Sequence, residues 1–152
     1  MAKSAPTIEN RKARFEYFIE DTVEAGVALA GTEVKSLRKG EASIQEAFAG
    51  AKQGEVWLFN AYIGEYEGGN RNNHEPRRAR KLLLNQREIA KLLGKIKMKG
   101  ATLIPLKIYF NKRGYAKVQL GVAFGKKQHE KRETIKQREW AREKNRLVRK
   151  DQ

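Results

Sequence analysis

The sequence has no cysteine, two histidines and three prolines. It also has no run of about 18 apolar residues, the length a membrane-spanning helix needs. Without cysteine, disulfides and thiolate metal sites are excluded, which fits a reducing cytoplasm. His74 and His129 stand far apart, each without a second ligand at metal spacing, so no metal is expected. The opening "MAKSAPTIENRKAR" has no apolar segment, and no signal peptide is readable. The membrane option thereby shrinks to peripheral binding. Ser4, Ser36 and Ser43 sit outside any nucleophile-elbow pattern. "GVAFGKK" at 121–127 is one residue short of phosphate-loop glycine spacing, and no Ser or Thr follows its lysines. The chain therefore reads as a binding protein, with no catalytic residue and no cofactor expected.

What is abundant is positive charge. There are 33 Lys+Arg against 18 Asp+Glu, a net +15 over 152 residues. Such an excess points to a polyanion or an anionic surface as partner. The cations cluster at Arg11, Lys12 and Arg14, at Lys35, Arg38 and Lys39, at Arg77, Arg78, Arg80 and Lys81, and through the C-terminal end. One such cluster is an ordinary solvated face; four together favour nucleic acid. On composition, duplex DNA, RNA and anionic lipid all stay open. Phe15, Tyr17, Trp57, Tyr62 and Tyr109 have the chemistry to stack on bases, but their alternation assigns them to packing.

The length suits one domain plus an extension. Residues 1–10 read as a flexible polar leader. Phe15, Tyr17 and Ile19 alternate onto one strand face, and Val23, Ala25, Val27 and Leu29 onto a second, with a turn at Asp21-Thr22 between them. "GTEVKSLRKG" predicts a short helix capped by Thr32, with Val34 and Leu37 facing inward, and ended by Gly40. "ASIQEAFAG" and "EVWLFNAYI" follow as strands. From Gly64 to about Leu82 the text is glycine, asparagine and charge, which predicts a long loop, basic at its far end. A helix then opens on the capping pair Asn85 and Glu88. It buries Ile89, Leu92, Leu93 and Ile96, leaves Lys91, Lys95 and Lys99 on a solvent stripe, and stops at Gly100. Ile104, Leu106, Ile108 and Phe110 predict a strand, with Pro105 marking an edge or a bulge. "NKRG" turns into a last strand whose Ala116, Val118, Leu120, Val122 and Phe124 face inward, with Lys117 and Gln119 outward. The expected fold is mainly β: an OB-like closed antiparallel barrel of about six strands over residues 11–125, with one to three flanking helices.

Residues 126–152 hold eleven Lys+Arg against five Asp+Glu, a net +6 of the total. Helix formers dominate, and Glu133–Lys136, Glu139–Arg142 and Glu143–Arg146 pair at i, i+3. Trp140 and Leu147 share a face, but Ile135 sits off it, so no continuous apolar stripe exists. An isolated helix of this kind is marginal in water. The tail is expected to be disordered when free and helical against a polyanion. Composition leaves open a tail that merely adds nonspecific affinity, although pure charge needs neither its Trp nor its His.

"EAGVALAGTEVKSLRKG", "GEVWLFNAYI", "NRNNHEPRRARKLLLN", "YAKVQLGVAFGKK" and "GKKQHEKRETIKQREW" make the chain resemble the SsrA-binding protein (small protein B) family of bacteria, in unbroken order from about Asn10 to Trp140. The resemblance implies an OB-like barrel that binds the tRNA-like domain of transfer-messenger RNA. With elongation factor Tu and GTP, that complex enters ribosomes stalled without a stop codon, and the unfinished chain is tagged for proteolysis. It implies roles for Glu24, Leu83 and Lys117 at the tRNA-like domain, beside the cluster residues Arg11, Arg14, Lys35, Arg38, Arg77, Arg80 and Lys81. It implies that the tail becomes helical at the decoding centre of small-subunit rRNA and in the vacant message channel. His129 would stand by the decoding bases. Lys126, Lys127, Lys131, Arg132, Lys136, Arg138 and Trp140 would line the path, and Leu147 and Val148 would correspond to an apolar pair near its end. Glu130 replaces the Asp that often follows the His in the family. A cytoplasmic monomer with no membrane partner is expected. A general OB-fold RNA chaperone or ribosome-associated RNA-binding protein is the alternative.

Overall fold

The computed structural model describes residues 5–150, leaving aside the side chains of residues 70, 71, 127–132 and 148–150. Nine strands and four α-helices follow one another as β1 (Ile8–Glu9), α1 (Arg11–Glu16), β2 (Tyr17–Val27), α2 (Gly31–Arg38), β3 (Ala42–Ser43), β4 (Phe48–Lys52), β5 (Glu55–Phe59), β6 (Tyr62–Ile63), β7 (Arg80–Leu83), α3 (Gln86–Lys99), β8 (Thr102–Phe110), β9 (Ala116–Gly125) and α4 (Lys126–Lys150). A 3-10 turn covers Glu67–Asn72. Every strand pairing is antiparallel. The main sheet runs β1-β8-β4-β5-β7-β2-β9, and β9 pairs with β8 as well, so six strands close into a ring. Closure satisfies the backbone groups that an open edge would expose. β3 and β6 form a small second sheet.

Two bulges shape the ring: one replaces an expected turn, and the other, at the proline that marked an edge or a bulge, divides a strand face expected to be single. The predicted turn at Asp21-Thr22 is absent: β2 is one strand, with Glu20 as the extra residue between the pairs Ile19–Ala123 and Asp21–Val122. An extra residue reverses which face the following side chains take. Tyr17 and Ile19 accordingly pack outside the ring with Ala13, Ile104, Leu106 and Ala123. Ala25 and Val27 lie inside it with Val118, Leu120 and Val122. On β8 the irregularity falls between Pro105 and Lys107, the position the proline marked. It splits the predicted single face, with Ile104 and Leu106 in the outer cluster and Ile108 and Phe110 against the inner core. Burying each such aliphatic side chain stabilises by about 1.5–3 kcal/mol.

The leader also shrinks. Ile8 and Glu9 pair with Ile108 and Lys107, and Asn10 is buried. The Asn10 amide donates to the Ile44 and Pro105 carbonyls at 3.2 and 3.1 Å, while its oxygen accepts from the Ala13 N–H at 3.2 Å and caps α1. Residues 11–16 are therefore helical, and Phe15, expected on a strand face with Tyr17 and Ile19, is exposed on α1 instead. Residues 1–4 of the predicted leader lie outside the described residues. At the β4–β5 hairpin, Gln53 and Gly54 both take positive φ, 54° and 76°, as a two-residue turn matched to strand twist requires. α3 starts on Asn85, whose side chain accepts from the Glu88 N–H at 2.8 Å, and ends at Gly100 with φ 69°.

Candidate nucleic-acid interface

The strand register places the family-matched positions in two neighbouring rows on the outer face of the ring. In one row Leu83 faces Gly26, Gly26 faces Lys117 and Lys117 faces Tyr109, crossing β7, β2, β9 and β8. In the next, Glu24 faces Gln119, Gln119 faces Lys107 and Lys107 faces Glu9. Their sequence neighbours Leu82, Ala25, Val118 and Ile108 are all buried in the core, which fixes these rows as outward. Gly26 has a local reason to be glycine. A Cβ there would lie 3.2 Å from the Leu83 Cβ, so its absence lets Leu83 lie across the strand while staying exposed.

Glu24 is held from the side. The Tyr109 hydroxyl donates to Glu24 Oε2 across β9, and the Lys107 ammonium sits 5.1 Å from the centre of the Tyr109 ring. Burial, then the Glu24 hydrogen bond and charge, push the Tyr109 hydroxyl up to about 12. It is a protonated donor at every working pH, and one carboxylate oxygen of Glu24 remains to accept from a ligand. If Glu24 meets a tRNA-like RNA, as the resemblance implies, Tyr109→Phe should weaken that binding by a few-fold, and Glu24→Gln should do the same. The double variant should lose no more than the worse single one, as a double-mutant cycle of Kd values would read. Additive losses would mean that Tyr109 does not act through Glu24.

A family model described as SmpB protein matches residues 7–150. The SsrA-binding protein of Bradyrhizobium diazoefficiens is 64% identical over 141 residues, 93% of this chain and 90% of that one. Its counterpart from Nitrobacter hamburgensis is 63% identical with the same coverage. A solved structure described as "tmRNA-SmpB: a journey to the center of the bacterial ribosome" is 58% identical with a TM-score of 0.68, covering 80% of this chain and 85% of that one. The chain belongs to the SmpB family.

Outside the two rows, this SmpB chain sets its cations on aromatic faces. From α2 and the residue that ends it, Lys35 and Lys39 stand 5.3 and 4.9 Å from the Tyr66 ring centre, and Arg38 stands 4.8 Å from that of Phe110. Tyr66 is fixed by Asn73, whose side chain accepts from the Tyr66 N–H at 3.1 Å and donates to its carbonyl at 2.6 Å. Arg77 lies over Tyr62 at 5.7 Å and donates to Asn60 Oδ1 at 3.1 Å. Lys81 pairs with Glu55 at 3.9 Å on the same face of β7 as Leu83. The lysines of the predicted solvent stripe on α3 are partly engaged: Lys91 reaches Asp21 at 3.7 Å, and Lys95 reaches Glu20 and Asp21 at 3.6 Å. The Thr22 N–H, opposed by burial and helped by Lys95 and Lys91, holds Asp21 below its ordinary value.

Arg80 corrects the sequence reading most sharply. Expected on the RNA surface within a basic loop, it lies in β7 with its side chain fully buried. Its Nε donates to Glu33 Oε2, and its two terminal nitrogens donate to the Ala61 and Pro76 carbonyls at 2.7 and 3.0 Å. Arg78 donates to the other Glu33 oxygen, and the Ala30 N–H donates to that same oxygen at 2.8 Å, making Ala30 rather than Thr32 the N-cap of α2. Burial raises the Glu33 carboxyl, but the bonds from Arg78, Ala30 and Arg80 outweigh it and hold the group ionised, below its ordinary value. Thr32 serves elsewhere: its hydroxyl lies 2.9 Å from His74 Nδ1, while His74 Nε2 donates to the Ile63 carbonyl at 2.8 Å. Both ring nitrogens of His74 are thereby used to pin the loop.

The predicted tail is the helix α4. Glu133, Ile135 and Lys136 of α4 face Phe18 and Phe124 of the ring and Met98 of α3 across a groove of about 620 Å³. Lys126, Lys136, Arg138, Trp140 and Leu147 are all exposed. The side chains of Lys127, His129, Lys131, Arg132 and Val148 lie outside the described residues. Among the described residues, no helix is long and apolar enough to cross a membrane.

Proposed function

We propose that this chain binds the tRNA-like domain of transfer-messenger RNA and carries it to stalled ribosomes for trans-translation. The observation that carries the proposal is the meeting of Glu24, Leu83 and Lys117 in two adjacent outer rows of a chain 64% identical to an SsrA-binding protein. An outer sheet face with a cation, a carboxylate and an apolar side chain suits a folded RNA, read through phosphate, 2′-hydroxyl and unstacked base rather than groove sequence. Arg11, Arg14 and Lys81 border these rows, and Lys35, Arg38 and Arg77 supply further charge. Arg80 acts from inside by holding β7 in place. Elongation factor Tu with GTP would join through the RNA, and the protein would act as a cytoplasmic monomer without catalysis of its own.

The tail reading stands beside this one. In this reading the helix α4 (Lys126–Lys150) is held by the small-subunit rRNA rather than by the ring, with His129 meeting the decoding centre and the remaining tail residues following the empty message channel. Support comes from exposure at every described side chain from Glu133 to Leu147. A helix with so little buried face gains little from the ring and much from a polyanion.

Competition binding at one stated salt concentration tests the RNA assignment. The tRNA-like domain should outcompete an unrelated RNA of equal length, and Lys117→Ala should weaken binding and lower the salt slope by about 0.7–0.9. Equal competition by both RNAs would favour a general RNA chaperone instead.

A further inference from the structure

Beside the two outer rows lies a pocket of about 180 Å³, lined by Arg11 and Arg14 of α1, Lys107 of β8, Gln119 of β9, and Glu9. Its volume is far above the roughly 15 Å³ that one water needs. We infer that this pocket is a phosphodiester site, which seats one backbone phosphate of the bound RNA next to the Glu24 row. The inference rests on the RNA-binding reading above and adds Lys107 and Gln119 to it.

Chemistry and placement both support this. Three cations and the amides of Asn10 and Gln119 line the pocket, and the single carboxylate, Glu9, is engaged by the Arg11 guanidinium at 3.8 Å. Lys107 and Gln119 are cross-strand partners, and Gln119 in turn faces Glu24. The pocket thus continues the row that carries the carboxylate. A carboxylate presented to RNA repels the backbone unless the strand is held by cations beside it, because like charges at close range are costly. The pocket supplies that hold, so that Glu24 meets a sugar hydroxyl or base amine rather than a phosphate. The floor is rigid: Asn10, wedged between the Ile44 and Pro105 carbonyls, caps the helix that bears both arginines. A backbone already in place removes one part of the ordering cost of binding. A phosphate contact positions the RNA without reading its sequence.

The test uses the full chain and a transfer-messenger RNA fragment containing the tRNA-like domain, titrated across a salt series. Lys107→Gln and Arg14→Gln should each weaken binding by about tenfold at physiological salt. Each should lower the slope of log affinity against log salt, and the pair together by about 0.7–0.9, the contribution of one phosphate. Together they should lose less than the sum, because both meet one phosphate. Lys107→Arg should keep the wild-type slope. Lys52→Gln, the same charge change on β4, should alter neither quantity, and thermal melts should match throughout. Slopes for Lys107→Gln and Arg14→Gln equal to that of Lys52→Gln, with Lys117→Ala still weakening binding, would overturn the phosphate site and leave the RNA reading standing. A wild-type protein that does not prefer the tRNA-like fragment would overturn that reading itself.

Discussion

Replacing Glu33 by Ala should cost about 3–5 kcal/mol of folding stability and lower the melting temperature by about 10 °C. The size of the effect follows from what remains behind. Arg80 would keep a buried guanidinium whose Nε has lost its acceptor, and Arg78 and the Ala30 N–H would lose theirs. Three elements then separate, because Glu33 sits on α2, Arg80 on β7, and the Pro76 carbonyl that binds Arg80 on the loop between them. Lys12→Ala, which removes an exposed i, i+4 pair with Glu16 at 3.7 Å, should cost less than about 1 kcal/mol. The contrast is measurable by chemical denaturation of both variants. A Glu33→Ala loss as small as that of Lys12→Ala would mean that the buried pair does not hold the fold. The same carboxyl sets an acid limit. Its folded pKa lies below the ordinary carboxylate value, so its contribution is present above the unfolded pKa, near 4.5, and is lost as pH falls through the folded one. Glu33→Gln should flatten the dependence of stability on pH in that acid window, at the price of lower stability near neutrality.

Removing residues 126–152 should abolish tagging of stalled chains while leaving most of the affinity for the tRNA-like domain. The two rows and the proposed phosphate pocket are built from the ring strands, α1 and Glu9, without a residue of α4. The deletion removes eleven Lys+Arg and a net +6, leaving +9 on the rest of the chain. Binding should therefore weaken several-fold through long-range charge, and more at low salt than at high. Peptide tagging in a reconstituted translation system, beside direct RNA titration, separates the two outcomes. Tagging by the truncated protein would remove the proposed tail role. A loss of RNA affinity as deep as that of tagging would place the RNA contact in the tail instead of the ring.

Much of this architecture was legible in the sequence, and the misses share a cause. Alternation located β2, β8 and β9 and identified Lys117 and Gln119 as outward, because a half-buried strand must alternate. It could not locate the slips at Glu20 and Leu106, since a bulge adds one residue without a compositional mark; only Pro105 gave a hint. Arg80 was hidden by its neighbours: "RRARK" reads as a charge run, yet Arg80 and Leu82 alternate onto the inner face. Its partner lies 47 residues away, and no local period reports a pair at that distance. Tyr109, Lys107 and the phosphate pocket were missed similarly. Each residue was visible, but their meeting depends on the order of strands around the ring, which a single sequence does not encode in any local pattern.

β9 runs into α4 with no connecting residue between Gly125 and Lys126. The strand that presents Lys117 on its outer face is therefore also the root from which the tail departs. Eight residues of strand set these two points about 26 Å apart. β9 is thus a ruler as well as a wall of the ring: pairing with β2 on one side and β8 on the other keeps its length from changing. A one-residue insertion in it would lengthen the ruler by about 3.3 Å and turn the following side chains to the opposite face.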